Sequence, residues 1–410
     1  MVDLLDCTIM PYAWGSRTAI AEMTGRPAPS SGPEAELGMG AHPVAPSRLL
    51  RGETAPQSLA DVIDHGPAAE LGTEVVAAFG PRLPFLLKVL AAAQPLSLQA
   101  HPNEAQARAG FEDEDRRGIP RDAPTRSYRD TSHKPELLCA VVPVDALCGF
   151  RRISDTLRLF DELAVNEAEP VIAALRHSPD DRGLEATLRA IMSLSREVGA
   201  RMVTAVVEAC ERCAARPGAE FAREQAWAQK LNALYPGDVG VVSALLLNLV
   251  HLQPGEALYL DAGNLHAYLS GVGIEIMASS DNVLRGGLTQ KHVDVPELMR
   301  VLDFHDGPVA PVRARAVDAH ERVWDTPARE FRLSALDLGA GAEVSRDVRG
   351  PEILLCTAGS VTIRPGDGSG ERALARGRSA FVPASTGSYR VHAGSTGEGG
   401  SLYRATVNLT

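Results

Sequence analysis

The change of hydrophobic periodicity in the middle of the chain constrains the fold more than any other feature. From Ser154 to about Leu234, apolar residues recur every three or four positions, which predicts helices. The segments on both sides alternate at a period of two or form short apolar runs, which predicts strands. The helical pattern covers residues 156–163, 184–196, 198–215 and 221–234. The sequence therefore predicts a β domain that is interrupted by a helical insertion.

These patterns divide the 410-residue chain into four predicted segments. They are the first part of the main β domain (1–150), the helical insertion (151–245), the second part of the main β domain (246–320) and a C-terminal β domain (321–410). A short helix is predicted from Leu59 to Ile63 and a further apolar helix from Val241 to Val250. The C-terminal segment holds short Gly-rich strands without a cluster of His and carboxylates, so we expect a structural domain or an interaction surface. Glycine-led strands in both β regions suggest duplicated jelly rolls.

Charge and composition limit the partners and the compartment. The net charge is −11 and no basic cluster occurs, which argues against a nucleic-acid partner. No run approaches the ~20 apolar residues that span a bilayer, and the N-terminus lacks the basic start and apolar core of a signal peptide. The six cysteines make no disulfide framework, and Cys210 and Cys213 are predicted to be reduced thiols on a helix. We therefore expect a cytoplasmic protein with no membrane or nucleic-acid partner.

A short strand from Leu96 to Pro102 carries the first candidate site residues. Its alternation places Ser97, Gln99 and His101 on one face, because residues two apart in a strand point the same way. An imidazole and an amide oxygen on a rigid strand are suited to a metal site. Taken alone, the pair is more often a hydrogen-bonded pair than a pair of ligands, so this strand leaves both interpretations open.

A second polar cluster, His133-Lys134-Pro135-Glu136, enters a segment with the pattern of a buried strand. Buried charged groups must be paired, bound to a ligand or catalytic, because an unpaired buried charge is costly. Lys134 and Glu136 are two residues apart and so share a face. The pattern predicts an ammonium and a carboxylate in one pocket.

The third polar cluster begins at Gly255. A short strand, a glycine turn and a second strand place His266 and Tyr268 on one face. After another glycine turn, residues 273–278 place Glu275 among apolar neighbours, and the loop 280–291 carries an acid and two cations. Burial would raise the pKa of Glu275, which makes it a candidate base.

Together these motifs strongly resemble the type I phosphomannose isomerases, the zinc-dependent mannose-6-phosphate isomerases of the cupin superfamily. The resemblance rests on Gln99-x-His101, residues 133–136, the hairpin 255–268 and the loop 281–289, with residues 11–15 and 35–43 similar to two N-terminal signatures. It extends from about residue 10 to about residue 305. It implies a mainly β fold of two cupin jelly-roll barrels with a helical domain inserted between the two halves of the catalytic barrel.

The resemblance implies one Zn²⁺ per chain, bound by Gln99, His101, Glu136 and His266. Two imidazoles, a carboxylate and an amide form a mixed nitrogen and oxygen shell, which suits a catalytic site better than the thiolate-rich shell of a structural site. His42, His133, Glu104 and His251 are not expected to be ligands. Another divalent metal stays possible on this donor set, because such a shell is not strongly selective.

The implied reaction interconverts mannose 6-phosphate and fructose 6-phosphate by moving a proton between C1 and C2 through an enediol or enediolate. Arg285 is expected to stabilise negative charge, although its other interpretation is an ion pair with Asp281. Lys134 is a candidate acid, base or phosphate contact, and the sequence does not decide between it and Glu275 as the base. Other positions that match the pocket of the family are Ser97, Lys88, Lys291, Tyr268, Glu36, Trp14 and Asp281.

The chain departs from the family signatures at Gly38, where an aromatic residue is usual, and at Ala13, where an acid is frequent. Both departures question substrate detail more than reaction class. The competing hypotheses are an isomerase of another sugar, including an unphosphorylated one, and a non-catalytic cupin that binds a sugar or a metal. Lys88, Ser97 and Lys291 favour a phosphorylated substrate. A monomer is expected, with a small sugar phosphate as its partner.

Overall fold

The computed structural model describes residues 1–51, 55–394 and 399–409. The described part of residues 1–150 contains both strands and helices. The strands are β1 (Asp3–Asp6), β2 (Thr8–Met10), β3 (Glu36–Met39), β4 (Arg48–Leu50), β5 (Gln57–Ser58), β6 (Phe85–Ala92), β7 (Leu98–Ala100), β8 (Glu136–Ala140) and β9 (Val144–Phe150). The helices are α1 (Ala19–Met23), α2 (Leu59–His65), α3 (Pro67–Leu71), α4 (Thr73–Phe79) and α5 (Glu104–Arg116).

The next part of the chain is helical and then returns to strands. The helices are α6 (Ile153–Leu163), α7 (Glu169–His177), α8 (Asp181–Met192), α9 (Arg196–Ala214), α10 (Ala222–Leu234) and α11 (Gly240–Ala244). They are followed by β10 (Leu247–Leu252), β11 (Glu256–Leu260), β12 (His266–Ala278), β13 (Leu284–Gly287) and α12 (Val295–Val301).

The C-terminal part consists of short strands and one turn of 3₁₀-helix at Ala384–Thr386. The strands are β14 (Val312–Arg313), β15 (Arg315–Ala316), β16 (Glu321–Trp324), β17 (Arg332–Leu338), β18 (Glu343–Asp347), β19 (Glu352–Pro365), β20 (Arg372–Ala375), β21 (Ser379–Val382), β22 (Ser388–Ala393) and β23 (Gly400–Thr406). No helix in the described part of the chain is both long enough and apolar enough to cross a membrane.

Two large antiparallel sheets organise these strands. One runs β14-β11-β8-β12-β6-β3-β2, with β7, β9, β10 and β13 attached, and the other runs β15-β16-β17-β23-β19-β21-β1-β4-β5, with β18, β20 and β22 attached. The helical block α6 to α11 lies in sequence between β9 and β10, which pair with each other. The prediction of a mainly β protein with a helical insertion is therefore confirmed.

The first strands of the chain belong to the C-terminal sheet. β1 pairs with β21 and with β4, so Leu5 and Leu49 are buried together with Phe381. The predicted segment 1–150 therefore contributes strands to both sheets. Pairing between residues so far apart in sequence leaves no local pattern, because strand periodicity reports the buried face and not the partner.

Two local predictions are wrong. The predicted helix Val241–Val250 is the short helix α11 followed by strand β10, because the apolar residues of 247–252 pair with β9. The predicted turn before Glu275 does not exist, since β12 runs unbroken from His266 to Ala278. Gly271 and Gly273 instead allow close approach: a Cβ at Gly271 would lie 2.5 Å from the carbonyl oxygen of Pro143. Helix α7 also lies outside the predicted helical pattern.

The buried side of the helical insertion explains the two neighbouring cysteines. Cys210 and Cys213 lie on the inner face of α9, in a core that includes Met202 and Val206. Both are free thiols, and burial raises the pKa of Cys210 to about 12. A reactive thiol needs a lowered pKa, so Cys210 is a packing residue, and Cys213 is buried in the same core.

Candidate metal centre and pocket

Three strands bring the predicted ligands together from distant parts of the chain. Gln99 on β7 pairs with His266 at the start of β12 and with Arg285 on β13. Glu136 at the start of β8 pairs with Met277 near the end of β12. On β7, Leu98 and Ala100 are fully buried in the core, so Gln99 points to the opposite face, as the strand alternation predicts.

The cluster that results is small and buried. The possible ligand atoms of His101, Glu136 and His266 all lie within 4.8 Å of one another. His101 Nε2 lies 3.3 Å from one Glu136 oxygen, and His266 Nε2 lies 3.6 Å from the other. The Gln99 amide is next to them, with its nitrogen 3.3 Å from His266 Nε2. Amide nitrogen and oxygen exchange places by a half-turn of the side chain, so Gln99 can also present its oxygen there.

The hydrogen bonds of the two imidazoles fit a metal. His101 Nδ1 lies 2.7 Å from the carbonyl oxygen of Asn282, and His266 Nδ1 lies 2.9 Å from that of Asn264. A carbonyl accepts, so both Nδ1 atoms carry the proton and both Nε2 atoms keep a lone pair, which is the tautomer of a ligating histidine. Within the described residues, His101 Nε2 and Glu136 Oε2 are buried without a hydrogen-bond partner. A cation between them would satisfy both atoms.

The protonation states agree with this arrangement. Burial lowers the pKa of His101 to about 4, despite the nearby Glu136 carboxylate, so the imidazole is neutral at pH 7. Burial would raise the pKa of Glu136, but Lys134 and His101 outweigh it and hold that pKa well below its usual value. A neutral imidazole and an ionised carboxylate are the forms that bind a metal.

Behind the ligands lies a network that the sequence did not reveal. Asn282 is fully buried, and its side-chain oxygen accepts hydrogen bonds from the backbone amides of Arg129 (2.7 Å) and Asp130 (3.1 Å). Its side-chain nitrogen donates to the carbonyl oxygens of Asp130 (2.8 Å) and Ser132 (2.9 Å). Asn282 therefore connects His101 to the segment that leads into Lys134. The only signal in the sequence is a polar Asn next to the predicted pocket residue Asp281.

The predicted catalytic groups lie beside the cluster. Lys134 Nζ is 3.1 Å from Glu136 Oε1, and both residues are buried. Lys88 Nζ is 3.2 Å from Glu36 Oε2 and 3.7 Å from Glu275 Oε2. These contacts form two separate groups, Lys134 with Glu136 and Lys88 with Glu36 and Glu275.

Glu275 has the most unusual titration of these groups. Burial, and then the negative charge of Glu136, raise its pKa to about 7, against the opposing effect of Lys88. Burial lowers the pKa of Lys88, but Glu36 and Glu275 outweigh it and raise that pKa, so Lys88 is charged. The Tyr268 hydroxyl is buried near Glu275, and burial followed by this carboxylate raises its pKa. Glu275 is thus a carboxylate whose proton affinity suits proton transfer near neutral pH.

Lys88 is predicted from the sequence, together with Ser97 and Lys291, to suit a phosphate group. Its contacts instead favour a role in holding two carboxylates. Its ammonium group already faces two carboxylates, so little positive charge remains for a phosphate. Arg285 and Lys291 are different: within the described residues, neither side chain forms an ion pair or a hydrogen bond. The expected alternative for Arg285, an ion pair with Asp281, is not found there. Both oxygens of Asp281 instead lie 3.1 Å from His42 Nε2.

The remaining predicted residues surround this pocket or lie apart from it. Trp14 stacks on Tyr12 with ring centres 5.8 Å apart, and Ser97 directly precedes β7. His133 contacts Glu330 at 2.7 Å and His251 contacts Asp145 at 2.7 Å, and neither belongs to the metal cluster.

Comparison with known proteins supports the same conclusion as the geometry. Residues 2–153 match the family model of the phosphomannose isomerase type I catalytic domain. The chain is 39% identical over 378 residues to a mannose-6-phosphate isomerase of Escherichia coli (strain K12), covering 92% of this chain and 93% of that protein. A crystal structure of a phosphomannose isomerase variant from Salmonella typhimurium is 36% identical, with a TM-score of 0.90 and full coverage of both chains. A zinc-bound mannose 6-phosphate isomerase structure, also 36% identical with full coverage of both chains, has a TM-score of 0.89. The chain therefore belongs to the type I phosphomannose isomerase family.

Proposed function

We propose that this protein is a zinc-dependent mannose-6-phosphate isomerase with one Zn²⁺ held by Gln99, His101, Glu136 and His266. The observation that carries the proposal is the pair of buried ligand atoms on His101 and Glu136 that have no hydrogen-bond partner among the described residues, near the buried Glu275 carboxylate, whose pKa is about 7. Zinc-bound relatives of the same fold support the choice of metal. When bound, Zn²⁺ supplies positive charge that polarises the substrate oxygens at C1 and C2.

Glu275 is the proposed base that moves the proton between C1 and C2. A carboxylate with a pKa near 7 is ionised in part of the population at neutral pH and still binds a proton strongly enough to return it. The Lys88 ammonium group lies 3.7 Å from the Glu275 carboxylate and holds it in place. The Glu36 carboxylate lies 3.2 Å from the same ammonium group and balances its positive charge. One group can therefore remove the proton from C2 of the aldose and deliver it to C1 of the enediolate, while the hydroxyl proton of O2 moves to O1 in the same turnover.

Lys134 and Arg285 have proposed electrostatic roles. Negative charge develops on the oxygens of the enediolate, and fixed cations in a buried site stabilise it without reorganisation. Lys134 is held 3.1 Å from Glu136, so its ammonium group is oriented before substrate binds. Arg285 lies on β13 directly beside Gln99 and has no internal acid to neutralise it among the described residues.

The phosphate of the substrate is proposed to bind near Lys291 and Ser97, with Trp14, Tyr268, Glu36 and Asp281 lining the sugar site. Lys291 is an exposed ammonium group without an ion-pair partner in the described structure, which suits an anion that arrives from solvent. The chain is proposed to act as a monomer in the cytoplasm.

An assay that couples fructose 6-phosphate formation to a reporter enzyme tests this function. The zinc-loaded protein should turn over mannose 6-phosphate and leave mannose essentially unchanged. Turnover of mannose at a comparable kcat/KM would favour the isomerase of an unphosphorylated sugar. Binding of sugar phosphate without turnover of any sugar would favour the non-catalytic cupin.

Replacement of Arg285 should separate catalysis from metal binding. We expect Arg285→Ala to retain one equivalent of zinc and to lose about 10²- to 10³-fold in kcat, because it removes a preorganised charge but no ligand. Zinc content by elemental analysis and kcat by the coupled assay measure the two effects. Loss of zinc in this variant would contradict the role given to Arg285.

Replacement of Asn282 should lower the zinc affinity of the site, because Asn282 positions the ligand His101. Asn282→Ala removes the side chain that fixes the 129–132 segment beside His101, and we expect zinc affinity to fall by about 10- to 100-fold. Competition with a fluorescent chelator measures this affinity. Asn408→Ala is the control, since Asn408 makes similar side-chain bonds to backbone carbonyls far from the site. Equal affinities in Asn282→Ala and the unmodified protein would show that the network does not position His101.

A further inference from the structure

A third cation, Arg129, is close enough to Arg285 and Lys291 for its charge to lower the pKa of both side chains. We propose that Arg129 binds the phosphate group of the substrate and thereby determines the preference for a phosphorylated sugar, an inference that rests on the proposed function. We call Arg129, Arg285 and Lys291 the cation cluster. Arg129 is not among the site residues predicted from the sequence, because a charged residue in a polar loop has no distinguishing local pattern.

The backbone of Arg129 is anchored to the metal centre. Its amide donates a 2.7 Å hydrogen bond to the Asn282 side chain, and the carbonyl oxygen of the same Asn282 accepts from His101. Arg285 follows Asn282 by three residues, on the strand that pairs with Gln99. The position of Arg129 relative to Arg285 and to the metal ligands is therefore set by a rigid, buried connection.

The side chain of Arg129 is available for a ligand. It is exposed and, within residues 1–51, 55–394 and 399–409, forms no ion pair or hydrogen bond. The neighbouring acids are already engaged: Asp130 accepts from the Ser280 hydroxyl (2.9 Å) and from the Asp281 amide (2.8 Å), while Asp281 faces His42. Arg129 and Asp281 line a cavity of about 250 Å³ with His42. Arg129 thus lies at a cavity and not on a closed surface.

Electrostatic repulsion within the cation cluster indicates the charge of the missing ligand. Burial and then Arg129 lower the pKa of Arg285, and burial, Arg285 and Arg129 lower the pKa of Lys291. The Asp281 carboxylate, whose pKa is lowered by His42 and also by Arg129, offsets part of the repulsion among these three charges, and a bound anion would offset more of it. A phosphate monoester carries nearly two negative charges, and its oxygens match the fork of a guanidinium group. Phosphate is therefore the ligand chemistry that this cluster fits.

The test replaces the charge of Arg129 and keeps its apolar stem. In the zinc-loaded enzyme, Arg129→Met should raise KM for mannose 6-phosphate and the inhibition constant of inorganic phosphate about 10- to 100-fold each, the effect of a lost charge-assisted hydrogen bond. The kcat should change by less than about threefold and zinc should stay at one equivalent, because Arg129 contacts neither the reacting carbons nor the metal. Arg129→Lys should recover part of the loss. Arg189→Met is the matched control, since Arg189 is an exposed arginine on α8 that pairs with Glu185.

An unchanged KM in Arg129→Met, or an effect equal to that of the control, would overturn the proposal, and so would loss of zinc, which would assign Arg129 a structural role. A higher inhibition constant for inorganic phosphate with an unchanged KM would also overturn it, because the cluster would then bind free phosphate and not the substrate. If the unmodified protein fails to isomerise mannose 6-phosphate, the proposed function fails separately. Calorimetric titration with inorganic phosphate then decides whether Arg129 binds phosphate at all: weaker binding in Arg129→Met supports that contact, and unchanged binding excludes it.

Discussion

Glu275→Gln is expected to lower kcat by about 10²- to 10⁴-fold, the usual contribution of a general base. The substitution keeps the volume of the side chain and removes the group that accepts the proton. Zinc content should stay at one equivalent, because Glu275 is not among the four proposed ligands. The coupled assay with mannose 6-phosphate measures kcat, and Glu256→Gln, at an acid on β11 away from the cluster, is the control.

The pH profile gives the same residue a second test. The base must be ionised, so kcat/KM should fall as the pH drops below the pKa of Glu275. That pKa is about 7 in the metal-free protein, and a divalent cation held by Glu136 lowers it, so the acid limb should lie at or below about pH 7. The residual activity of Glu275→Gln should lack this limb. A limb that is unchanged in the variant would identify a different base, with Lys134 as the next candidate.

His266→Ala is expected to abolish both zinc binding and turnover. His266 is 1% exposed, and its Nε2 lies among the other proposed ligand atoms, so its removal leaves three donors and an opening in the shell. Zinc measured after dialysis should fall well below one equivalent, and activity should fall with it. Excess zinc in the assay should restore little activity, since the variant has lost both zinc affinity and the coordination geometry of the site.

His251→Ala is the control for His266→Ala. His251 also lies on a strand and contacts a carboxylate, Asp145, but in the described part of the chain it belongs to no cluster that can hold a metal. It should retain zinc and activity. Full zinc retention by His266→Ala would contradict the proposed shell, whereas loss of zinc by both variants would point to general destabilisation. Thermal unfolding of both proteins in the presence of chelator distinguishes these cases.

The parts of the site that depend on the alternation of side chains along one strand could be predicted from the sequence. Gln99 and His101 on one face of β7, and Lys134 beside Glu136, follow from the alternation of side chains along a strand. The resemblance to a family added His266, which no local pattern connects to the other three. The pairing of β7 with β12 places Gln99 beside His266, and the side-chain contacts of Glu136 with His101 and His266 complete the cluster.

The parts that depend on contacts between distant segments could not be predicted. The sequence predicts that Lys88 suits a phosphate group. Only the register of β6 against β3 and β12 shows that its side chain faces Glu36 and Glu275. Asn282 and Arg129 are linked through a side-chain hydrogen bond across 153 residues, which periodicity does not report. The same limit explains why β1 was not expected in the C-terminal sheet.

Titration of the metal-free protein with Zn²⁺, with the rate of mannose 6-phosphate isomerisation measured at each step, determines whether turnover depends on one bound zinc per chain. Metal-free protein prepared with a chelator should be inactive. Its activity should rise linearly with added zinc and stop at one equivalent per chain, while Arg285→Ala takes up the same single equivalent without comparable turnover. Full turnover by the metal-free protein, or uptake of one zinc by the unmodified protein without turnover, would contradict the account.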